Sequence, residues 1–378
     1  MIRPTVARVD LNAIRSNFHA INDFLASESD RPRPGIIAVV KANAYGHGAA
    51  EVGLALEEAG AAMLACADIE EGIVLRDAGI RAPILVFGAL SVSDLDGLFT
   101  HHLTPTISTP SAARAVKAAA ARHKVRIACH LKIDTGMNRL GFRHDNIERT
   151  IPEFADGGEL AFDAVYTHFA TADDPEHPAF FEQSARFNEA CARLEQLGIA
   201  PARRHAANSA ALLRDARVWY DYVRPGLLLY GIVPPPLAAT LPLRPALSLH
   251  SRIVAVKGLR AGEASGYGLK TPVDGPVTIA IVPAGYADGL DLRLAGRGHM
   301  LVRGRRAPIV GAVCMDLTLT DVTDIPDAAV GDEVVLWGRQ GEAEIGVGEV
   351  GEWQSKVTYE VLTRLGKRVP RVLDEIQP

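Results

Sequence analysis

Strand-like apolar runs alternate with helix-like segments from about residue 35 to residue 230, and this alternation limits the possible folds more than any other feature. The eight runs are GIIAVVK (35–41), AAMLACA (61–67), APILVFG (82–88), LTPTIS (103–108), VRIACHLKID (125–134), LAFDAVYTHF (160–169), RRHAAN (203–208) and DYVRPG (221–226). Strands that alternate with helices form βαβ units around a parallel sheet. Eight such units predict a (β/α)8 TIM barrel, a fold that typically takes about 250 residues. An open doubly wound sheet is the alternative, but no GxGxxG motif follows the first strand.

The segments between these runs have helical features. SAARAVKAAAARHK (111–124) is rich in Ala, Arg and Lys. In the segment 178–198, apolar residues recur near helical spacing and Gly198 is a suitable stop. These apolar residues are Phe181, Ala185, Phe187, Ala190, Cys191 and Leu194. Both segments support an α/β fold for this part of the chain.

The pattern changes after the proline-rich segment PPPLAATLPLRP (234–245). The later segments SLHSRIVAVKGL, VTIAIVPAGYADGL, HMLVRGRRAPIVGAVCMDLTLTDV and GDEVVLWG are rich in Val and Ile and are punctuated by Gly, which is typical of strands. A helical segment near 349–365 follows them. We therefore predict a barrel domain over residues 1–240 and a mostly β domain over residues 241–378.

Charge and cysteine content exclude several classes of protein. The net charge of -5 and the pI near 6.2 argue against nucleic acid or an anionic membrane as the main partner. No apolar region typical of a signal peptide opens the chain, and no stretch is apolar enough to span a bilayer. The four cysteines are scattered without the spacing of a metal site. We expect a cytoplasmic protein with reduced thiols and no metal.

Lys41 is the first candidate for chemistry, because it stands at the end of the first apolar run. In a TIM barrel, reactive groups lie at the carboxyl ends of the strands. The context VVKANAYGHG places Gly46 and Gly48, which permit a tight backbone, near the polar groups of Asn43 and Tyr45. A lysine in this position is able to form a Schiff base with an aldehyde cofactor or substrate. The alternative is a solvated lysine at a strand end.

Several motifs occur in the order found in one enzyme family. They are VVKANAYGHG, LKIDTGMNRLGF (131–142), THFATAD (167–173), NSAA (208–211), RPGLLLYG (224–231), GYADG (285–289), GAVCMD (311–316) and KRVPRV (367–372). Together they make the chain similar to alanine racemases over nearly its whole length. The resemblance implies a pyridoxal 5'-phosphate barrel followed by a β domain. It also implies a homodimer with shared active sites that interconverts L- and D-alanine and supplies D-alanine for peptidoglycan.

The resemblance assigns the proton-transfer residues. Lys41 would bind the cofactor and act as the base on one face of the substrate, and Tyr267 of the partner subunit would act on the other. His168 and Arg224 would support the tyrosine. Arg224 would also donate to a neutral pyridine nitrogen, because an arginine cannot supply a proton there as Asp or Glu does. Taken alone, Tyr267 is equally a turn residue, His168 a satisfied core histidine and Arg224 a surface arginine.

The resemblance also implies binding residues. The phosphate would contact Tyr45, Asn208, Ser209, Gly226, Leu227 and Tyr359. Leu227 replaces the isoleucine of the family, but a backbone N–H makes the contact in either case. Ser209 is also a suitable helix N-cap on chemical grounds. A second departure is Gly266, where the family more often has a serine beside the catalytic tyrosine.

Substrate binding would involve Arg139, Met315 and Tyr286. Strand alternation puts His130, Lys132 and Asp134 on one face, so two cations, Lys132 and Arg139, would lie close together inside the barrel at a high cost. In many alanine racemases the lysine matching Lys132 is carbamylated, which turns it into an anion that orients Arg139. A plain Lys132–Asp134 network is the alternative. Met315 would bind the substrate carboxylate through its N–H, and Tyr286 would narrow the entrance.

Other functions fit fewer of these residues. A decarboxylase of this fold places an acid at the pyridine nitrogen, which Arg224 contradicts. A non-catalytic pyridoxal phosphate carrier would lack the second domain, and a structural protein would leave Lys41 and Tyr267 unexplained. A metal or nucleophile site at CMD has only one Cys and one Asp to support it. A racemase with a broader amino-acid range stays open.

Overall fold

The structure is a computed structural model that describes residues 3–27, 32–90, 92–155, 158–239, 241–269 and 272–374. The chain forms two compact units. The barrel unit consists of Asn12–Ala44 and Ala49–Arg244, and the β unit consists of Met1–Leu11, Tyr45–Gly48 and Pro245–Pro378. The division at 240/241 stays a prediction, and residue 240 itself lies outside the described residues.

The strands are, in chain order, β1 (Val6–Val9), β2 (Gly35–Val39), β3 (Met63–Cys66), β4 (Ile84–Val86), β5 (Thr104–Ile107), β6 (Ile127–Asp134), β7 (Phe142–Arg143), β8 (Leu160–Tyr166), β9 (Arg203–Asn208), β10 (Tyr222–Arg224), β11 (Leu247–Arg252), β12 (Ala255–Leu259), β13 (Val277–Val282), β14 (His299–Val302), β15 (Arg305–Val310), β16 (Thr318–Asp321), β17 (Glu333–Gln340), β18 (Ala343–Ile345) and β19 (Arg371–Leu373).

The helices are α1 (Leu11–Ser27), α2 (Lys41–Tyr45), α3 (Ala49–Glu58), α4 (Ile69–Asp77), α5 (Asp96–Thr100), α6 (Pro110–His123), α7 (Ile147–Thr150), α8 (Pro152–Ala155), α9 (Ala179–Gln196), α10 (Ser209–Arg214), α11 (Val347–Gln354) and α12 (Thr358–Thr363). Short 3-10 helices occupy Ala216–Val218, Leu227–Tyr230, Tyr286–Asp288 and Leu292–Leu294. No helix of the described segments is long and apolar enough to cross a membrane.

Eight parallel strands close into the ring of the barrel unit. Their order around the ring is β2, β3, β4, β5, β6, β8, β9 and β10, and β10 pairs with β2 to close it. Each of the eight predicted runs contributes one of these strands. The strands are buried on both faces in such a fold, which explains why most of them are nearly continuous apolar runs, although β9 begins with two exposed arginines. The predicted fold class, a TIM barrel followed by a mostly β domain, is confirmed.

Local chemistry sets the ends of the barrel helices. Helix α6 begins after Thr109, whose hydroxyl accepts the N–H of Ala112 at 3.1 Å, and it ends at Lys124 in the left-handed conformation. Helix α9 differs from the expected pattern at two positions, because Ala185 is exposed and Phe181 is 51% exposed while Phe180 is fully buried. The adjacent phenylalanines make the apolar face ambiguous by one residue, and the polar residue Gln183 completes the buried stripe.

The β unit is one continuous sheet. Its order is β12, β13, β16, β15, β14, β17, β11, β1 and β19, with β18 beside β17, and only the β1–β19 pair is parallel. The predicted helical segment near 349–365 forms α11 and α12. Strand β1 lies within the range predicted for the barrel domain, residues 1–240. It pairs with β11 and β19 of this sheet, however, and its four residues give no local signal of partners that lie about 240 and about 360 positions away.

Candidate active site

Lys41 follows β2 at the carboxyl end of the barrel and begins an unusual backbone turn. Residues Ala42, Asn43, Ala44 and Tyr45 all have positive φ, between 52° and 55°. A left-handed conformation costs L-residues about 1–2 kcal/mol each, so surrounding contacts must stabilise the turn. Ala44 donates its N–H to the Val40 carbonyl at 2.8 Å, and Asn43 Oδ1 accepts the N–H of Ala49 at 2.9 Å. Gly46 and Gly48 also have positive φ, 85° and 105°, as the sequence predicts, and the four non-glycine residues precede them.

One cation and one acid act on the Lys41 amine with opposite effects on its pKa. Partial desolvation lowers the pKa of Lys41, the charge of Arg139 lowers it further, and Glu71 opposes both effects. A lowered pKa increases the fraction of neutral amine, which is the nucleophilic form.

Lys132 lies inside the barrel as predicted. It is 7% exposed, and its Nζ is 5.6 Å from the ring centroid of Tyr166. Burial lowers the pKa of Lys132 to about 8, with Arg139 and Arg224 as further causes and Asp134 in opposition. The Asp134 carboxylate accepts the N–H groups of Gly136 and Asn138, so it organises the turn that leads to Arg139. Arg139 itself is exposed, so the two cations do not both lie inside the barrel, although the charge of Arg139 still lowers the pKa of Lys132.

Arg224 is buried at the carboxyl end of β10 and makes a dense set of hydrogen bonds. Its Nη2 donates to the carbonyl of Thr167 at 2.7 Å, to the carbonyl of Ala206 at 2.9 Å and to His168 Nδ1 at 3.4 Å. Its Nη1 donates to His205 Nδ1 at 2.7 Å. The alternative interpretation of Arg224 as a surface arginine is therefore excluded.

These contacts fix the protons on two buried histidines that the sequence did not single out as site residues. Arginine only donates, so His205 Nδ1 must accept and its proton must lie on Nε2. His205 Nε2 then donates to His130 Nδ1 at 3.0 Å. Burial lowers the pKa of both histidines, that of His130 to about 4, and the charge of Arg224 acts in the same direction. Arg224, His205 and His130 thus form an ordered donor chain across the barrel interior.

His168 lies between the cations, half-buried. Desolvation and the charge of Arg224 lower its pKa well below the ordinary value, and Lys132, Arg139 and Lys41 add to this effect. Its backbone is held by Gln183 of α9, whose Nε2 donates to the His168 carbonyl at 3.0 Å and whose Oε1 accepts the N–H of Ala170 at 2.8 Å. Gln183 has only 1% exposure and was missed in the sequence, where a glutamine on a helix gives no sign of burial.

The predicted phosphate residues of the barrel unit lie together at the starts of two short helices. Asn208, and not Ser209 as expected, caps α10 through a bond from the N–H of Ala211 at 2.9 Å. Ser209 is the first residue of that helix, and its hydroxyl does not cap the helix because it binds another backbone group. It accepts the N–H of Gly226 at 2.9 Å, directly before the 3-10 helix that begins at Leu227. Convergent helix N-termini favour an anion.

In the β unit, Tyr286 and Met315 belong to two turns that contact each other closely. Tyr286 donates its N–H to the Cys314 carbonyl at 3.0 Å, and Ala287 donates to the Met315 carbonyl at 3.1 Å. Buried Asp288 closes the first turn by accepting the N–H of Gly285 at 2.9 Å. Arg368 joins the turns, because its Nε lies 3.0 Å from Asp288 and its Nη2 lies 2.5 Å from Asp316.

The remaining tyrosines of the prediction are also in the β unit. Tyr267 is 81% exposed and lines a cavity of about 500 Å³ together with Tyr286, Leu292 and Val313. The rings of Tyr45 and Tyr359 lie 6.0 Å apart. The structure thus brings Tyr267 close to Tyr286, and Tyr45 close to Tyr359.

Known alanine racemases match this chain over nearly its whole length, both in sequence and in fold. The family model for the alanine racemase N-terminal domain matches residues 9–234, and that for the C-terminal domain matches residues 246–373. A relative named alanine racemase from Symbiobacterium thermophilum is 42% identical, covering 98% of this chain and 97% of its own. One from Sorangium cellulosum is 41% identical, covering 99% and 100%. The solved alanine racemase of Streptomyces lavendulae is 34% identical with a TM-score of 0.93, covering 99% of this chain and 97% of that one.

These matches and the two-unit fold assign the chain to the isomerases, among the amino-acid racemases. Within that class, the chain belongs to the alanine racemase family, whose members interconvert L- and D-alanine. The resemblance shown by the sequence motifs is confirmed.

Proposed function

We propose that this chain interconverts L- and D-alanine with pyridoxal 5'-phosphate bound at Lys41 and two bases, Lys41 and Tyr267. The single observation that carries the proposal is the bonding of Arg224, which is buried, donates only, and lies in one charge cluster with Lys41 and His168. A racemase with this residue at the pyridine nitrogen would favour proton exchange over decarboxylation or transamination. Supply of D-alanine for peptidoglycan and a cytoplasmic location belong to the same proposal.

The donor set of the barrel unit fits the cofactor. Lys41 offers an amine of lowered pKa, and the N–H groups at the starts of α10 and of Leu227–Tyr230 offer a phosphate site linked by Ser209. Asn208, Ser209, Gly226 and Leu227 would hold the phosphate, together with the hydroxyl groups of Tyr45 and Tyr359. When bound, pyridoxal phosphate supplies an aldehyde that reacts with amines and a ring that stabilises negative charge on the substrate α-carbon.

Each base would serve one face of the substrate. Lys41 Nζ would remove or return the α-proton of D-alanine, and the hydroxyl of Tyr267 of the partner subunit would do so for L-alanine. A single base would mostly return the proton to the face from which it came. His168, with its proton on Nε2 because Nδ1 accepts from Arg224, would donate toward the tyrosine oxygen and favour its ionised form.

The remaining residues would bind and orient the substrate. Arg139 would bind the carboxylate together with the N–H of Met315 of the partner subunit, and Tyr286 would narrow the entrance. Carbamylation of Lys132 would replace a buried cation by an anion beside Arg139. The pKa of about 8 favours this reaction, because only a neutral amine adds to carbon dioxide. The resemblance to alanine racemases assigns Tyr267 and Met315 to the partner subunit, so the proposal includes a homodimer with shared sites.

The test follows the α-hydrogen of each enantiomer in deuterated water. Tyr267→Phe should retain the cofactor absorbance and the exchange from D-alanine, while exchange from L-alanine falls by about 10²–10⁴-fold, the usual contribution of a general base. Tyr220→Phe, which removes a hydroxyl bound to Asn188 on the barrel surface, is the control and should exchange both enantiomers normally. Equal residual exchange from both enantiomers in Tyr267→Phe would refute the assignment of Tyr267 to the L-face.

A further inference from the structure

We propose that Glu71 is a positioning residue for Lys41, because its carboxylate binds the N–H that directly follows Lys41 and holds the left-handed turn to the neighbouring strand. Glu71 lies in the first turn of α4, thirty positions after Lys41, and is half-buried. The proposal rests on the proposed role of Lys41 as the cofactor residue.

The two oxygens of the carboxylate bind two different parts of the barrel rim. Oε1 accepts the N–H of Ala42 at 2.7 Å, and Oε2 accepts the N–H of Ala67 at 2.7 Å. Ala42 belongs to the turn after β2, and Ala67 directly follows β3, the neighbour of β2 in the ring. One side chain therefore joins the carboxyl ends of two adjacent strands.

A carboxylate is well suited to this position. It offers two acceptor oxygens and no donor, and both of its partners are N–H groups. Bonds to an ionised acceptor are shorter and stronger than neutral ones, in agreement with the two distances. The N–H of Glu71 itself donates to Asp68 Oδ1 at 2.9 Å, which fixes the first turn of α4 from which the side chain extends.

The turn at Ala42 requires such support. Its residues adopt left-handed φ values without being glycine, so they relax toward other conformations when external contacts are removed. The other contacts of the turn are made by Asn43 and Ala44. Glu71 binds the Lys41–Ala42 peptide, whereas the bond from Ala44 holds the carbonyl of the Val40–Lys41 peptide, so the two contacts fix the lysine backbone from its two sides.

The charge of Glu71 has a second consequence for Lys41. Among the groups near the lysine amine, Arg139 lowers the pKa of Lys41 and Glu71 raises it. Removing the charge while keeping an acceptor, as in Glu71→Gln, should therefore lower the pKa of the amine and affect the backbone less. Glu71→Ala should change both properties.

The chain offers a matched control. Glu70 is exposed, precedes Glu71 in the same first turn of α4 and carries the same charge. Glu70→Ala removes an acid from the same helix end, so any general effect on the helix appears in both variants. Wild type, Glu70→Ala, Glu71→Gln and Glu71→Ala are compared as full-length apo-proteins that are then loaded with pyridoxal phosphate.

Three measurements test the proposal. Hydrogen exchange of the peptide that contains Ala42 should accelerate in Glu71→Ala by at least about tenfold, since a bond to a charged group contributes roughly one to two decades. The dissociation constant of pyridoxal phosphate should rise by about 10- to 100-fold in Glu71→Ala and by less in Glu71→Gln. The pH midpoint for acylation of Lys41 should move to lower pH in both variants. Glu70→Ala should match wild type in all three.

The outcomes are distinguishable. Exchange at Ala42 and cofactor affinity that are equal in Glu71→Ala and Glu70→Ala would overturn the proposal. If Glu71→Ala does not fold, the test rests on Glu71→Gln, in which the dissociation constant of pyridoxal phosphate should show the smaller rise. No rise in Glu71→Gln would overturn the proposal as well. Wild-type apo-protein that does not bind pyridoxal phosphate at Lys41 would instead refute the proposed function. The exchange measurement needs no cofactor and would still decide the role of Glu71 in the turn.

Discussion

Gly285→Ala should damage the β unit at the contact between the Tyr286 and Met315 turns. A Cβ at position 285 would lie 2.3 Å from the Cys314 carbonyl oxygen and 2.4 Å from that of Met315, whereas ordinary contacts begin at 3.4 Å. All of these atoms belong to backbone, so no side-chain rotation relieves the clash. The two turns must therefore separate by about 1 Å, the difference between these distances.

The separation affects both stability and substrate binding. Overpacking costs about 1–3 kcal/mol, and stretching the bonds from Tyr286 and Ala287 adds about 0.5–1.5 kcal/mol each. A loss of about 3 kcal/mol lowers the melting temperature by roughly 6–12 °C. If Met315 binds the substrate, a 1 Å displacement should reduce kcat/KM by about 10²-fold, mainly through KM. Pyridoxal phosphate absorbance should persist, because the proposed cofactor residue Lys41 belongs to the barrel unit.

Gly275→Ala is the matched control. An added Cβ at Gly275 meets no atom within 4 Å, so this variant should melt and turn over like wild type. Melting followed by circular dichroism and steady-state kinetics of both variants complete the comparison. A Gly285→Ala protein that is indistinguishable from Gly275→Ala would refute the close contact of the two turns and the argument built on it.

Three further predictions concern assembly, Lys132 and pH. Mixing the inactive variants Lys41→Ala and Tyr267→Phe should restore part of the activity through hybrid dimers with one intact site, and exchanged hybrids that stay inactive would contradict shared sites. Lys132→Ala should lower activity, with partial rescue by small carboxylates, and a crystal structure of wild type should show density beyond the amine; an unextended amine would exclude the carbamate. Burial holds the pKa of His130 near 4, below its unfolded value of about 6.5. The contribution of neutral His130 to the stability of the barrel unit is therefore complete above pH 6.5 and declines as the pH falls toward 4. The free energy of unfolding should fall by about 2 kcal/mol between pH 7 and pH 5. His130→Asn keeps an acceptor for His205, so urea midpoints should show a smaller pH dependence in this variant than in wild type.

The barrel could be predicted because its strands carry a strong local signal. A strand covered on both faces needs a nearly continuous apolar run, and each of the eight runs became a strand. Strand β1 carries no such signal, because its four residues are stabilised by β11 and β19, which lie far along the chain. At α9, adjacent phenylalanines left the buried face uncertain by one residue, and only packing shows that Phe180 is the buried one.

Some residues of the site can be predicted from their chemical type, whereas other features depend on local geometry that only the structure shows. Lys41 ends an apolar run, so the local pattern singles it out, and strand alternation places Lys132 on the inner face. Arg224 is assigned by the resemblance to alanine racemases, since taken alone it is equally a surface arginine. The cap at Asn208 was assigned one residue too late, because Asn and Ser are both good caps and only the bond from Gly226 shows that Ser209 is used elsewhere. The ordered protons of His205 and His130 follow from a single geometric fact, that Arg224 donates to His205.

The supporting residues were missed for a physical reason that applies beyond this chain. Glu71 and Gln183 act on backbone groups of Ala42, His168 and Ala170, and a backbone group has the same chemistry at every position. No residue type at 42 or 168 therefore signals a need for a distant acceptor or donor. The need arises only when folding brings Glu71 to the ends of β2 and β3, and brings Gln183 of α9 to the residues that follow β8. A strained turn such as Ala42–Tyr45 has a particularly large need for side chains that bind its backbone groups. Positive φ at non-glycine residues beside a reactive lysine is therefore the structural sign by which such supporting residues can be found.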